Sequence, residues 1–162
     1  MRLWNDLVRQ ALRGLALLIC TPAAADVAYI TCQTGDALNV IDLGRGADVI
    51  SWGVPGKPAG VATGPNYVLT VSADSKAIRK LDAATGAVLA QTELDGGPIG
   101  VALDDQRQRV YVSDWYNARI WVLDLNTLST ISILTTGEAP AGLTLSEDGR
   151  WLASADKEAN QV

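Results

Sequence analysis

Pro98-Ile99-Gly100-Val101 occurs three times in this chain in recognisable form. Pro58-Ala59-Gly60-Val61 precedes it by 40 residues, and Pro140-Ala141-Gly142-Leu143 follows it by 42. A second marker keeps the same spacing, as Ile41-Asp42, Leu81-Asp82 and Leu123-Asp124. Two independent markers on one period describe a repeat of about 40 residues, and such a period means one supersecondary unit copied along the chain.

The unit around Pro98 shows what is copied. Gly100-Val101-Ala102-Leu103 is a short apolar run, and a polar turn follows from Asp104 to Arg109. Val110-Tyr111-Val112-Ser113 is a second run, Arg119 to Asp124 a third, and Ser129 to Leu134 a fourth. Runs of four to six β-branched, aromatic and apolar residues separated by turn residues read as strands. No segment after residue 25 has a helical period. The expectation is therefore all-β, with four-stranded antiparallel blades of a β-propeller. The runs are apolar on both faces, which predicts that neighbouring blades cover both sides of each sheet.

The other units are less complete. Units at 60–92 and 100–134 carry four runs each, whereas 27–53 starts at a second strand and 142–162 stops as its third opens. Two complete and two partial blades imply an N-terminal part of a ring of about 300 residues, or a short chain that closes by oligomerising. Asp82-Ala83-Ala84-Thr85-Gly86 and Ser146-Glu147-Asp148-Gly149 have turn chemistry, with an acid to bond the backbone ahead and a glycine for positive φ. Their spacing does not match a calcium loop.

Several of these segments resemble a known family. Tyr29-Ile30-Thr31-Cys32 with Asn39-Val40-Ile41-Asp42, and Tyr111-Val112-Ser113-Asp114 with Trp121-Val122-Leu123-Asp124, are similar to the two signature strands of YVTN-type β-propeller repeats. Pro140 to Gly149 is similar to that family's P-x-G-[VL]-x-x-S-x-D-G stretch. Asp114-Trp115-Tyr116-Asn117-Ala118-Arg119-Ile120 resembles the D-x-x-N-x-R-I of the related NHL repeats. The resemblance spans residues 27–162, and it departs where Cys32, Ser72, Asp114 and Asp156 replace the motif Asn. It implies that the glycine-led run is the innermost strand of each blade. It also implies a periplasmic or surface binding module.

Residues 1–25 read as a secretory signal peptide. Arg2, Arg9 and Arg13 precede an apolar run from Leu15 to Cys20, and small residues lead to a cleavage site between Ala25 and Asp26. The apolar run is too short to span a membrane, which takes about 20 residues. The unpaired arginines do not indicate a twin-arginine route, and Ile19 before Cys20 does not fit a lipid attachment site. A bacterial periplasmic or secreted location is expected, with no membrane span after cleavage. Residues 26–162 then hold 10 basic against 17 acidic side chains, a net charge of −7. That balance argues against nucleic acid as a partner, unless Arg107, Arg109 and Arg119 form a local basic patch. Cys32 is the one cysteine left, so no disulfide forms within the chain.

Catalytic chemistry is sparse. Histidine is absent, which removes His-based triads, His metal sites and His haem ligation from these residues. No phosphate loop or nucleophile elbow is present. Asp104-Asp105 and Glu147-Asp148 sit in turns. No cofactor, metal or catalytic residue is expected. Binding potential concentrates in Asp114, Trp115, Tyr116, Asn117 and Arg119, two aromatics among polar groups in one inter-strand loop. The competing reading of that loop is structural, with Trp115 packed on the next blade and Asp114 or Asn117 capping the turn. The expected function is a non-catalytic propeller that takes a protein or small-molecule partner through loops at one end. The alternative is a propeller subunit of a periplasmic oxidoreductase, or a lactonase-like enzyme, with its chemistry beyond Val162.

Overall fold

The computed structural model describes residues 26–44 and 49–162. The signal-peptide reading of residues 1–25, including Ala25, lies outside the described residues, while Asp26 is the first residue inside them. Among the described residues, thirteen strands form four antiparallel sheets, each built from strands consecutive in the chain. The first sheet contains β1 (Val27–Cys32), β2 (Ala37–Asp42) and β3 (Val49–Gly53). The second contains β4 (Pro58–Thr63), β5 (Tyr67–Ser72), β6 (Ala77–Asp82) and β7 (Val88–Glu93). The third contains β8 (Pro98–Asp104), β9 (Arg109–Asp114), β10 (Arg119–Asp124) and β11 (Thr130–Thr135). The fourth pairs β12 (Pro140–Leu145) with β13 (Leu152–Asp156), after which Asp156 bridges Gln161.

Strands β4, β8 and β12 pack on one another in sequence. These are the glycine-led runs, so they form the innermost layer, and the sheets fan outward from it. β1 touches β4 as β5 touches β8 and β9 touches β12. The first sheet therefore supplies second, third and fourth strands among the described residues.

The Pro-x-Gly pattern has a physical cause. Each innermost strand begins at its proline, two residues before the glycine, and the register slips between Pro58 and Val61, Pro98 and Val101, and Pro140 and Leu143. This bulge frees the carbonyl of the middle residue. Thr31 Oγ1 donates to Ala59 O at 2.8 Å, and Ser113 Oγ donates to Ala141 O at 2.8 Å, each reaching across to the next sheet. Glycine is required because the backbones approach closely. A Cβ on Gly60 would stand 2.6 Å from Ile99 O, and one on Gly100 would collide with Ala141 O.

Burial follows strand position rather than composition. β5 and β10 are almost wholly buried, whereas all six residues of β11 are exposed. The expectation of coverage on both faces holds for the middle strands and fails for the outermost ones. Sheets that diverge from a common axis stand furthest apart at the rim, so Ile131 and Ile133 stay in solvent.

Candidate functional site

One end of the sheets gathers the loops 33–36, 54–57, 73–76, 94–97, 115–118, 136–139 and 157–160. Backbone hydrogen bonds lace them in order: Val54 N to Asp36 O, Asp74 N to Gly56 O, Leu94 N to Lys76 O, Trp115 N to Gly97 O, Thr136 N to Ala118 O, and Lys157 N to Ala139 O. Asp36, Lys76, Ala118 and Asn160 hold left-handed φ values of 47°, 50°, 48° and 52° at equivalent points. A short non-glycine turn recurs here at a conformational cost that the lacing must offset.

Asp114 is the hub of this end. It closes β9 and is fully buried. Its Oδ1 accepts Gly97 N at 2.9 Å and Tyr116 N at 3.2 Å, while Oδ2 accepts Asn117 Nδ2 and Arg119 Nε, both at 2.8 Å. Burial pushes this carboxyl upward, but the donors outweigh it and hold its pKa below the usual carboxylate range. Burial likewise works against the charge of Arg119, and Asp114 and Asp95 overcome it and raise its pKa. Arg119 Nη2 reaches Asp95 Oδ1 at 2.7 Å, and its guanidinium lies 4.8 Å from the Trp121 ring centre.

The five residues read as a binding cluster are therefore brought together, but unequally. Asp114, Asn117 and Arg119 point their polar groups at one another. Trp115 is half-buried under Lys157 Nζ, 5.2 Å from its ring centre, so it engages the fourth sheet. Tyr116 stands out, 76% exposed over Gly97, and Asn117 beside it is exposed as well. Sequence reading missed Asp95, Gly97 and Lys157. A signal for Gly97 exists, because Gly137 N donates to Asp156 Oδ2 at 2.7 Å in the same way. In the third and fourth sheets, the aspartate that ends the second strand pairs with a glycine shortly before the innermost strand.

The basic patch is absent. Arg107 pairs with Asp104 at 3.0 Å, Arg109 with Asp124 at 3.9 Å, and Arg119 with two aspartates. The turn acids behave as turn residues: Asp82 binds the backbone of Ala84 and Thr85, and Asp124 that of Asn126 and Thr127. Asp148 does the same with Arg150 N. No group of three or more metal-ligating side chains occurs among the described residues. No helix among them is long and apolar enough to cross a membrane. A groove of about 400 Å³ on the innermost layer is lined by Gly60, Gly100, Gly142 and their neighbours, with Gln33 its one polar side chain.

Residues 96–123 match the family model of the NHL repeat, which covers the Asp114–Arg119 network. At the level of fold, a chain of the Kuenenia stuttgartiensis hydrazine synthase structure superposes with a TM-score of 0.72 at 19% identity, over 79% of this chain and 38% of that one. The chain is a run of β-propeller blades. A chain of a mitotic checkpoint complex gives a TM-score of 0.72 at 16% identity over 82% of this propeller and 43% of that chain. Apo AztD from Citrobacter koseri gives 0.58 at 16%, over 73% and 34%. In sequence, NHL repeat-containing protein 2 of Bos taurus is 32% identical over 80 residues, covering 40% of this chain. The Gallus gallus protein of that name is 31% identical over the same length. The propeller spans 11% of the length of those two relatives.

Proposed function

We propose that this protein is a secreted or periplasmic propeller that binds a partner protein or small molecule through the loop end centred on Tyr116. The carrying observation is the division of labour in residues 114–119. Asp114 freezes the loop with four hydrogen bonds, and Tyr116 is left 76% exposed on that rigid support. A tyrosine held in place at low entropic cost is what a binding surface requires. NHL propellers typically bind proteins, which supports the reading. The signal-like residues 1–25 support the address, with cleavage after Ala25.

Two measurements test it. A photo-crosslinking amino acid at Tyr116 should trap a discrete species in cells, while the same group at Thr85, on the opposite end, should not. Equal trapping at both ends, or none at either, removes the proposal. The N-terminal residue of the mature protein should be Asp26, and a retained Met1 in soluble cytosolic protein would overturn the address.

A further inference from the structure

The third position of β6 and of β10 faces the preceding sheet, and its occupant differs between the two repeats. In β10 it is Trp121, 2% exposed and part of the apolar core. In β6 it is Arg79, 6% exposed. Alternation along β6 fixes its direction, because Leu81 packs with Leu38 and Val54 of the first sheet while Ile78 joins the cluster of the third. A guanidinium therefore sits inside an interface that elsewhere takes an indole.

No carboxylate among the described residues pairs with it. Nε donates to Gln91 Oε1 at 3.0 Å, Nη1 to Ser72 Oγ at 3.1 Å and Ser75 Oγ at 3.4 Å, and Nη2 to Ser75 Oγ at 3.3 Å. Desolvation lowers its pKa, with no neighbouring acid to counter that. Buried charges are ordinarily paired, because an uncompensated one costs several kcal/mol. The contrast with Arg119, which meets Asp114 and Asp95 one repeat later, is direct.

We propose that Arg79 anchors a carboxylate-binding slot at the rim between the first and second sheets, with Gln91 as its gate. Gln91 is exposed on the outermost strand β7, and its amide oxygen stands where a carboxylate oxygen would lie. Exposed side chains change rotamer in picoseconds to nanoseconds, so the gate opens without disturbing the sheet. Exchanging a neutral oxygen for a charged one roughly doubles the strength of the hydrogen bond. Ser72 and Ser75 hold the guanidinium in register from the other side. The slot does not depend on Tyr116 or its loop.

The test is to titrate the full chain with sodium acetate, with sodium chloride at matched ionic strength as control. Arginine side-chain N–H resonances and thermal unfolding are followed together. Acetate alone should shift one arginine Nε resonance saturably and raise the unfolding temperature, and both effects should vanish in Arg79→Met. Arg79→Lys keeps the charge without the fork and should bind about tenfold more weakly. Gln91→Ala removes the internal competitor and should bind about threefold more tightly. Equal responses to acetate and chloride, or a response that persists in Arg79→Met, overturn the proposal. So does weaker binding by Gln91→Ala. Should Arg79→Met not fold, the wild-type resonance and Arg79→Lys decide. A blocked glutamate peptide identifies the source: binding by it points to a partner's acidic side chain, and binding by acetate alone to a free small acid.

Discussion

The interface between the second and third sheets and the interface between the first and second are built from equivalent positions, yet they hold by different means. The former has eleven buried apolar residues, Trp121 with ten others, among them Leu69, Val71, Ile78 and Val112. The latter has four, Leu38, Val54, Val68 and Leu81, with Tyr29 and Trp52 partly covering them. Above its apolar part it spends a core position on Arg79. At the loop end the former is clamped by the Asp114–Arg119 pair of the third sheet, which reaches the connection from the second through Gly97 N and Asp95. The latter is clamped by Asp36, whose Oδ1 accepts Gly56 N and Lys57 N at 3.1 and 2.8 Å. The repeat thus specifies where sheets meet, and individual side chains specify whether a given meeting is dry.

Trp121→Ala should break the contrast most severely. Emptying that position costs about 3–5 kcal/mol, read as a lower denaturant midpoint. A loss of about 1 kcal/mol or less would mean the two interfaces are equally apolar in effect.

Asp114→Asn comes next. It leaves the Arg119 guanidinium without its buried partner, and roughly 2–4 kcal/mol should be lost at neutral pH. The pH dependence has a definite sign. The folded-state pKa of Asp114 is depressed, so its contribution is complete above the unfolded value near 3.9 and fades as pH falls through the lower folded value. Acid unfolding curves should therefore be steeper in the wild type than in Asp114→Asn. Parallel acid limbs would assign the clamp to the backbone lacing instead.

Ser113→Ala tests the inter-sheet relay, in which Gly100 N donates to Ser113 Oγ and that hydroxyl donates to Ala141 O. Two backbone groups lose their partner, at about 1–3 kcal/mol. The corresponding position in the second sheet is Val71, which has no hydroxyl to offer, whereas Thr31 in the first sheet makes the equivalent bond to Ala59 O, so the interface between the second and third sheets is the one that lacks it. Thermal unfolding within error of the wild type would show that water replaces the serine.

The smallest effect should come from Lys76→Gly and Ala118→Gly. Each relieves a left-handed φ in a loop of the laced end, and each should gain up to about 1 kcal/mol. Equal gains would show that the lacing treats both interfaces alike. A gain at Ala118 only would show that Lys76 contributes something beyond its backbone.

Much of the fold was legible because a 40-residue period leaves few alternatives. The innermost strands, the turn acids Asp82 and Asp148, and the buried Trp121 all follow from pattern and turn chemistry. The candidate site was legible in content and not in direction. Asp114, Asn117 and Arg119 lie within six residues of one another, and composition cannot say whether such groups face a ligand or each other. Their inward orientation depends on Gly97 and Asp95, which come from the preceding connection. Arg107, Arg109 and Arg119 looked like a basic patch for the same reason, since the aspartates that neutralise them are mostly turn residues with a second task.

Local chemistry alone determined the period, the strands and the turns. These features depend on residues within one unit, where a turn hydrogen bond is settled by near neighbours in the chain, whereas the glycines at Gly60 and Gly100 answer to the backbone of the next repeat. Tertiary structure decided the rest: that Tyr116 stands out while Trp115 folds under Lys157, that β11 remains in solvent, and that Arg79 is buried without an acid. Burial and pairing are properties of two surfaces brought together. The second surface is supplied by a different repeat, about 40 residues away, that has diverged in its own way.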